Sequence, residues 1–283
     1  MRFGFVTCVQ LGLSCMEAIY DVGGKLDLAI TLTDDRAVNK SGRVYLDEFC
    51  SKHEIDLVKI RHINDQTAID AIRGHNIDWL FIIGWSQIAG PEVLSAPGHG
   101  VLGIHPTLLP EGRGRAPIPW AIIKGLKRTG VTLFKLDEGV DTGDIVAQEV
   151  LPIADDETAT TLYERVNEAH RTIIKNVWPD LAAGRVHLQP QDHSQATVWP
   201  GRKPEDGRIT ADLSVETVDR LVRGTTHPYP GAFVDIDGKR VRVWSGRPLD
   251  AGDRREEGLM VELTEGKFLA TDHDVEDITT DQE

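Results

Sequence analysis

The side chains with chemistry to offer crowd into one stretch, from Gly103 to Gln148. His105 lies in Gly-Ile-His-Pro-Thr at 103–107, Arg113 and Arg115 in Gly-Arg-Gly-Arg-Ala-Pro at 112–117, and Asp141 in Asp-Glu-Gly-Val-Asp-Thr-Gly-Asp at 137–144. An imidazole titrates near neutral pH, and a carboxylate beside it favours its charged form and fixes its orientation. His105 and Asp141 are therefore an acid–base pair to test. Taken singly, each residue has a plainer reading. A histidine before proline is an ordinary structural hydrogen-bonder, Asp-Thr-Gly is a common turn, and the two arginines are solvated loop charges. The combination and its setting argue otherwise. Proline and glycine in the middle of the stretch forbid a long helix. Its flanks, 82–84 and 130–136, read as buried strands, and loops between buried strands are where catalytic groups gather.

The elements that must position these groups follow from hydrophobic patterning. Short apolar runs at 3–9, 25–32, 57–60 and 79–84 read as strands, the last apolar on both faces. Helical segments at 12–20, 44–53 and 65–73 alternate with them, with Asp65 in the N-cap position of the third. This order implies parallel βαβ units and a doubly wound, mostly parallel Rossmann-like sheet. Ligands of such sheets bind at the carboxyl ends of the strands, which points to Gly84, Trp85, Ser86, Gln87 and Ile88. No GxGxxG follows the first strand, so the usual dinucleotide mode is excluded. The pattern predicts further helices over 118–126, with Trp120 on its buried face, and over 158–178, where Leu162, Val166, Ala169, Ile173 and Val177 share one side. Residues 189–204 are polar and Pro-rich and read as a linker. Beyond it come a helix over 215–225 and a hairpin joining 232–236 to 240–244 through Asp237-Gly238, a type I′ signal. A second hairpin joins 259–263 to 267–271, and a frayed acidic end starts at Asp272. The expected organisation is a catalytic domain over 1–188, a linker over 189–204 and a small β-rich domain over 205–283.

Composition narrows the function classes. Hydrophobic residues at 40% and charged residues at 27% suit a soluble globular protein of 283 residues. The net charge of −14 opposes binding to a polyanion, and from residue 200 onward acidic residues outnumber basic ones 19 to 12. Cys8, Cys15 and Cys50 have neither CxxC nor metal spacing and read as reduced, partly buried thiols. The apolar run at the start is too short for a signal peptide or a membrane span, so the expected location is cytoplasmic, with no membrane partner.

The motifs themselves carry a resemblance. His105-Pro-Thr-Leu-Leu-Pro110, Gly112-Arg-Gly-Arg-Ala-Pro117, Thr129-Gly-Val-Thr132, Asp137-Glu-Gly-Val-Asp-Thr-Gly-Asp144 and Ile145-Val-Ala-Gln148 are similar to the formyltransferases that use 10-formyltetrahydrofolate. Arg202-Lys-Pro-Glu-Asp-Gly-Arg-Ile209 and Thr226-His-Pro-Tyr-Pro-Gly-Ala-Phe233 resemble the second domain of the tRNA and sugar-nucleotide enzymes of that family. The resemblance implies an Asn–His–Asp triad in which His105 and Asp141 match the last two members. It implies a folate site around Gly84–Gly90 and the Asp137, Gly139 and Val140 loop, with Trp85 packing on a ring. Thr107, Arg113, Arg115 and Pro117 are then the acceptor contacts, and no metal is required. Where the family has asparagine this chain has Gly103. We expect a backbone N–H or the His105 imidazolium to cover the missing donor, and Gly103 to leave room for a bulky acceptor. The implied reaction is N-formylation of a small amine, foremost a nucleotide-linked amino sugar. The alternatives are methionyl-tRNA as acceptor, a formyltetrahydrofolate hydrolase, and a non-catalytic folate binder. The sequence does not decide between a monomer and a homodimer.

Overall fold

In the first strand, β1 (Phe3–Val6), every residue is buried, and the alternation of side chains divides it between two faces. Phe3 and Phe5 pack with Phe81 and Trp178, at 4.4 Å between the tilted Phe3 and Trp178 rings and 5.6 Å between the stacked Phe5 and Phe81 rings. Val6, on the opposite face, joins a core of Leu28, Ile30, Ile60, Ile69, Ile72 and Leu80. A sheet with apolar residues on both faces needs a helical layer on each, which is the doubly wound solution. The computed structural model, which describes residues 1–37, 43–249 and 257–277, has that architecture.

Four parallel pairings join β1 to β2 (Leu28–Leu32), β2 to β3 (Asp56–Ile60), β1 to β4 (Trp79–Ile82), and β4 to β5 (Gly100–His105). The Arg128–Lys135 strand runs antiparallel to β5, with His105 opposite Thr132, and Ile145–Pro152 completes a seven-stranded sheet in the order β3, β2, β1, β4, β5 and then these two. The order reverses between β1 and β4, so the switch point lies where β1 and β4 end. Gly84 follows β4 there at φ +68, and a Cβ on it would meet Val9 at 2.4 Å. Only glycine combines this backbone with so close an approach.

The chain packs as two units. The first comprises Met1–Arg113, Gly130–Val150 and Val166–Val198, and the second Gly114–Thr129, Leu151–Arg165 and Trp199–Glu283. The second unit is built on a four-stranded sheet ordered Ala232–Ile236, Lys239–Leu249, Gly266–Asp277, Leu259–Leu263. The Val215–Thr225 helix begins at Ser214, whose hydroxyl accepts from the Thr217 N–H, the usual N-cap arrangement. It buries Val218, Leu221 and Val222 with Val241, Val243 and Phe268 of the sheet. Asp237 (φ 49) and Gly238 (φ 77) make the hairpin turn, as a type I′ turn requires. This unit also takes in the helix Pro117–Ile123, where Ile118, Pro119, Ala121 and Ile122 are buried. Trp120 is only half-buried, and its indole N–H donates to the Pro200 carbonyl.

Three expectations need correction. Asp65 holds the N-cap position of Gln66–Gly74, but its carboxylate accepts from the Arg61 and His62 N–H groups instead of capping the helix. Residues 189–198 do not hang free as a linker. Gln189 exchanges two backbone hydrogen bonds with Ile145, and Thr197 pairs with Pro110, Gly112 and Arg113. The acidic segment from Asp272 is strand up to Asp277. It lies opposite Lys239, Arg240 and Arg242, so its carboxylates meet cations, including Glu276 at 2.6 Å from Arg242. Opposite charges across a ladder stabilise the pairing that the acidic run alone opposes.

Candidate functional site

The first unit brings His105 and Asp141 together. His105 ends β5 and is 7% exposed. Its Nε2 lies 2.8 Å from the Gly112 carbonyl, and its Nδ1 lies 3.6 Å from Asp141 Oδ2. A carbonyl only accepts, so Nε2 carries the hydrogen and the neutral ring presents a bare Nδ1 toward the carboxylate. The gap of 3.6 Å exceeds a hydrogen bond. Asp141 itself stands at φ +54, a left-handed conformation uncommon outside glycine, asparagine and aspartate.

Side chains on neighbouring elements fix these loops. Thr132, buried in the strand opposite His105, donates to the Thr107 carbonyl at 2.7 Å and accepts from the Leu109 N–H. Gln148 donates to the Leu109 carbonyl and to the Thr132 hydroxyl. Gln191 donates to the carbonyls of Asp141 (2.9 Å) and Gly143 (2.7 Å). Thr132 and Gln148 lie within the family-like motifs, where nothing in their spacing shows these contacts, and Gln191 lies in the polar segment expected to be a linker. A buried amide in a polar segment carries no periodicity that would reveal it.

Gly103 departs from expectation. Any side chain here would put its Cβ 2.6 Å from Leu136 Cδ2. The room beside Gly103 is filled by the chain's own Leu136, not kept open for an acceptor. Arg113 is likewise drawn inward. It is 7% exposed, and its guanidinium donates to Gln191 Oε1 and to His193 Nδ1, so it is not offered to an acceptor. Arg115 is exposed and Pro117 opens its helix, both in the second unit. Thr107 is buried, and its hydroxyl oxygen has no hydrogen-bond partner.

The loop after β4 is pinned to residues 61–64. Gln87 accepts from the Ile63 N–H and donates to the Arg61 carbonyl, and Asn64 does the reciprocal job on Ile88 and Gly90. The Gln87 amide is thus spent on the fold and not left for a pterin edge. Trp85 is half-buried against the sheet core, with its Nε1 enclosed and unpartnered. Ile88 stands 81% exposed and Val140 62%. Asp137 accepts from the Gly139 N–H and the Thr142 hydroxyl, which closes the loop bearing Val140.

His170 was not singled out from the sequence. It is buried in the Ala159–Ala182 helix, its Nδ1 bonded to the Val166 carbonyl, and burial pushes its pKa down to about 4. The three cysteines are buried and form no disulfide, and burial pushes the Cys15 and Cys50 thiols up to about 12. Among the described residues no group of His, Cys, Asp and Glu could hold a metal ion, and no helix is long and apolar enough to cross a membrane.

Comparison with known proteins adds the identity of the group. Residues 36–177 match the formyl transferase family, and residues 202–282 match the formyl transferase C-terminal domain. The methionyl-tRNA formyltransferase of Agathobacter rectalis is 30% identical over 265 residues, 93% of this chain and 85% of that protein. Among solved structures, methionyl-tRNA formyltransferase from Clostridium thermocellum aligns with a TM-score of 0.62 at 22% identity, over 98% of this chain and 99% of that one. The N-formyltransferase from Helicobacter canadensis, in complex with folinic acid and dTDP-3-aminofucose, aligns with a TM-score of 0.69 at 16% identity, over 95% and 98%. With both halves matched and the pairing of His105 and Asp141 between its central loops, the chain belongs to the formyl transferase family.

Proposed function

We propose that the chain transfers a formyl group from 10-formyltetrahydrofolate to the primary amine of a nucleotide-linked amino sugar, with His105 and Asp141 as the proton-handling pair. The observation that carries the chemistry is that His105 Nδ1 faces Asp141 Oδ2 at 3.6 Å while Nε2 is held by the Gly112 carbonyl. A nitrogen about 3 Å from each, within general-base reach, completes a triangle on that side. Bound 10-formyltetrahydrofolate supplies an electrophilic formyl carbon whose oxygen takes up charge as the amine adds. His105 Nδ1 accepts the amine proton. The resulting imidazolium is then held by the Gly112 carbonyl on one edge and by Asp141 on the other. The same proton is available to the departing folate nitrogen, so one ring serves as base and then acid. Position 103 offers no side-chain donor, and we assign the charge on the formyl oxygen to the protonated ring and to backbone N–H groups.

The loops that would take the folate fit an amphipathic ligand. Ile88 and Val140 present apolar surface, and Trp85 Nε1 is an enclosed donor with no protein partner. Such a mix of apolar walls and few polar atoms is characteristic of small-molecule sites.

The acceptor reading rests on charge. In the second unit Arg208, Arg220, Arg223, Arg240 and Arg242 are each paired with a carboxylate. Arg115, Lys124, Arg202 and Lys203 form no ion pair among the described residues, and Lys124 and Arg202 flank the Trp120 ring at 5.4 and 4.8 Å. Cations largely neutralised by such carboxylate pairs favour a small acceptor over a polyanion such as tRNA. Methionyl-tRNA is the second reading, favoured by the relatives named as methionyl-tRNA formyltransferases. The deciding experiment offers the protein 10-formyltetrahydrofolate with either dTDP- and UDP-linked amino sugars or charged initiator tRNA, and weighs the products by mass spectrometry. Formyl-sugar with inert tRNA is expected. Formyl-methionyl-tRNA alone would reverse the order.

A further inference from the structure

Three groups converge on one buried amide. Gln191 is 6% exposed and uses its whole hydrogen-bonding capacity. Its oxygen accepts from Arg113 Nη2 at 2.6 Å and Nε at 3.2 Å, and its nitrogen donates to the Asp141 and Gly143 carbonyls. The orientation is unambiguous, because a guanidinium can only donate and a carbonyl can only accept. Arg113 directly follows Gly112, whose carbonyl holds His105 Nε2. Gln191 therefore touches both loops that set the pair, the one fixing the imidazole and the one carrying the carboxylate.

Charge makes this more than a tie. Arg113 is buried, and its described contacts are Gln191 and His193, with no ion pair among the described residues. A cation on the amide oxygen polarises the N–H bonds on the other end and strengthens their donation. Those bonds fall on the carbonyl of Asp141, the residue in the left-handed conformation, and on Gly143. Without them the loop loses two of the bonds that hold the carboxylate at its present distance from His105.

We propose that Gln191, driven by Arg113, is the positioning residue that sets the His105–Asp141 separation. This rests on the reading of the pair as the proton-handling groups. Two variants separate positioning from folding. Gln191→Leu keeps the shape and removes every hydrogen bond. Gln191→Glu gives Arg113 a full counter-charge, which protects folding, but turns an oxygen toward two carbonyls that cannot donate. In each, kcat for formyl transfer should fall by about 100-fold, the scale of a misplacement near 1 Å. The dissociation constant for tetrahydrofolate should stay within about twofold. In an Asp141→Asn background the further loss from Gln191→Leu should shrink to within about twofold, since the group being positioned has already gone. The ring ¹⁵N resonances of His105, read in the resting protein, should move in both variants. Unchanged kcat and resonances, or equal fold losses with and without Asp141, would overturn the proposal. If the unaltered protein transfers formyl to no acceptor, the assigned reaction fails, and the His105 resonances still decide whether Gln191 sets the ring's surroundings.

Discussion

Two parts of the first unit treat their side chains in opposite ways. Around His105 and Asp141 the carbonyls of residues 107, 109, 112, 141 and 143 each receive a side-chain donor, and three of the donors, Thr132, His105 and Gln191, are buried. In the loops at 84–90 and 137–140 the backbone is pinned as well, but Ile88 and Val140 point into solvent. The contrast separates two tasks. Proton transfer needs geometry fixed before the substrate arrives. Ligand capture gains from apolar surface that is covered only on binding. Damage to the first part should therefore appear in kcat or in stability, and damage to the second in the folate KM.

The largest effect belongs to the pair itself. His105→Ala and Asp141→Asn should each lower single-turnover formyl transfer by about 10²–10⁴-fold, with tetrahydrofolate affinity retained. Rates near that of the unaltered protein in either variant would remove the assignment.

Next comes His170, buried as a neutral ring in the Ala159–Ala182 helix. Its folded pKa of about 4 lies below the ordinary value of 6.5, so the unfolded chain binds a proton that the folded chain refuses. Stability from this group is complete above the unfolded value and is lost as pH falls from 6.5 toward 4, by up to about 3 kcal/mol. His170→Gln should flatten the fall in melting temperature over that window. An identical fall in both proteins would show that other groups control acid unfolding.

A smaller effect tests whether the braced part has spare volume. Gly103→Asn should clash with Leu136 and destabilise the fold by about 1–3 kcal/mol. Adding Leu136→Ala should return much of that loss. Thermal unfolding of the single and double variants checks both statements, and a fully stable single variant would mean that Leu136 yields freely. The smallest effects are expected at the solvent-facing side chains. Ile88→Asp and Val140→Asp should leave stability within about 0.5 kcal/mol and kcat unchanged, while raising the folate KM. A kcat defect without a KM change at either position would erase the division of tasks.

What the sequence revealed follows the same division. Continuous apolar runs declared β1 to β4, because that signal is local, whereas the partnership of His105 and Asp141 came from the family resemblance of their motifs. The braces were not legible. Gln191 lies 50 positions from Asp141 and 78 from Arg113, and nothing in a polar segment announces which amide is buried. Arg113 looked like a loop charge because its burial comes from that distant partner. Gly103 was readable as a departure from the family pattern, but its cause lies across the sheet in Leu136. Strand from Asp272 to Asp277 was masked by its own acidity until the cations of Lys239–Leu249 stood opposite.

That acidic strand also bears on how copies of the chain meet. Leu259–Leu263 pairs only with residues 266–270, so among the described residues no strand lies against the other side of residues 272–277. An unpaired strand edge is a template for a neighbouring chain, and proteins discourage such pairing by lining the edge with charge. Here Asp272, Asp274, Glu276 and Asp277 surround the exposed Val275. Two such edges brought side by side would place like charges together, so sheet-to-sheet growth into fibres is opposed at the position where the backbone would otherwise invite it.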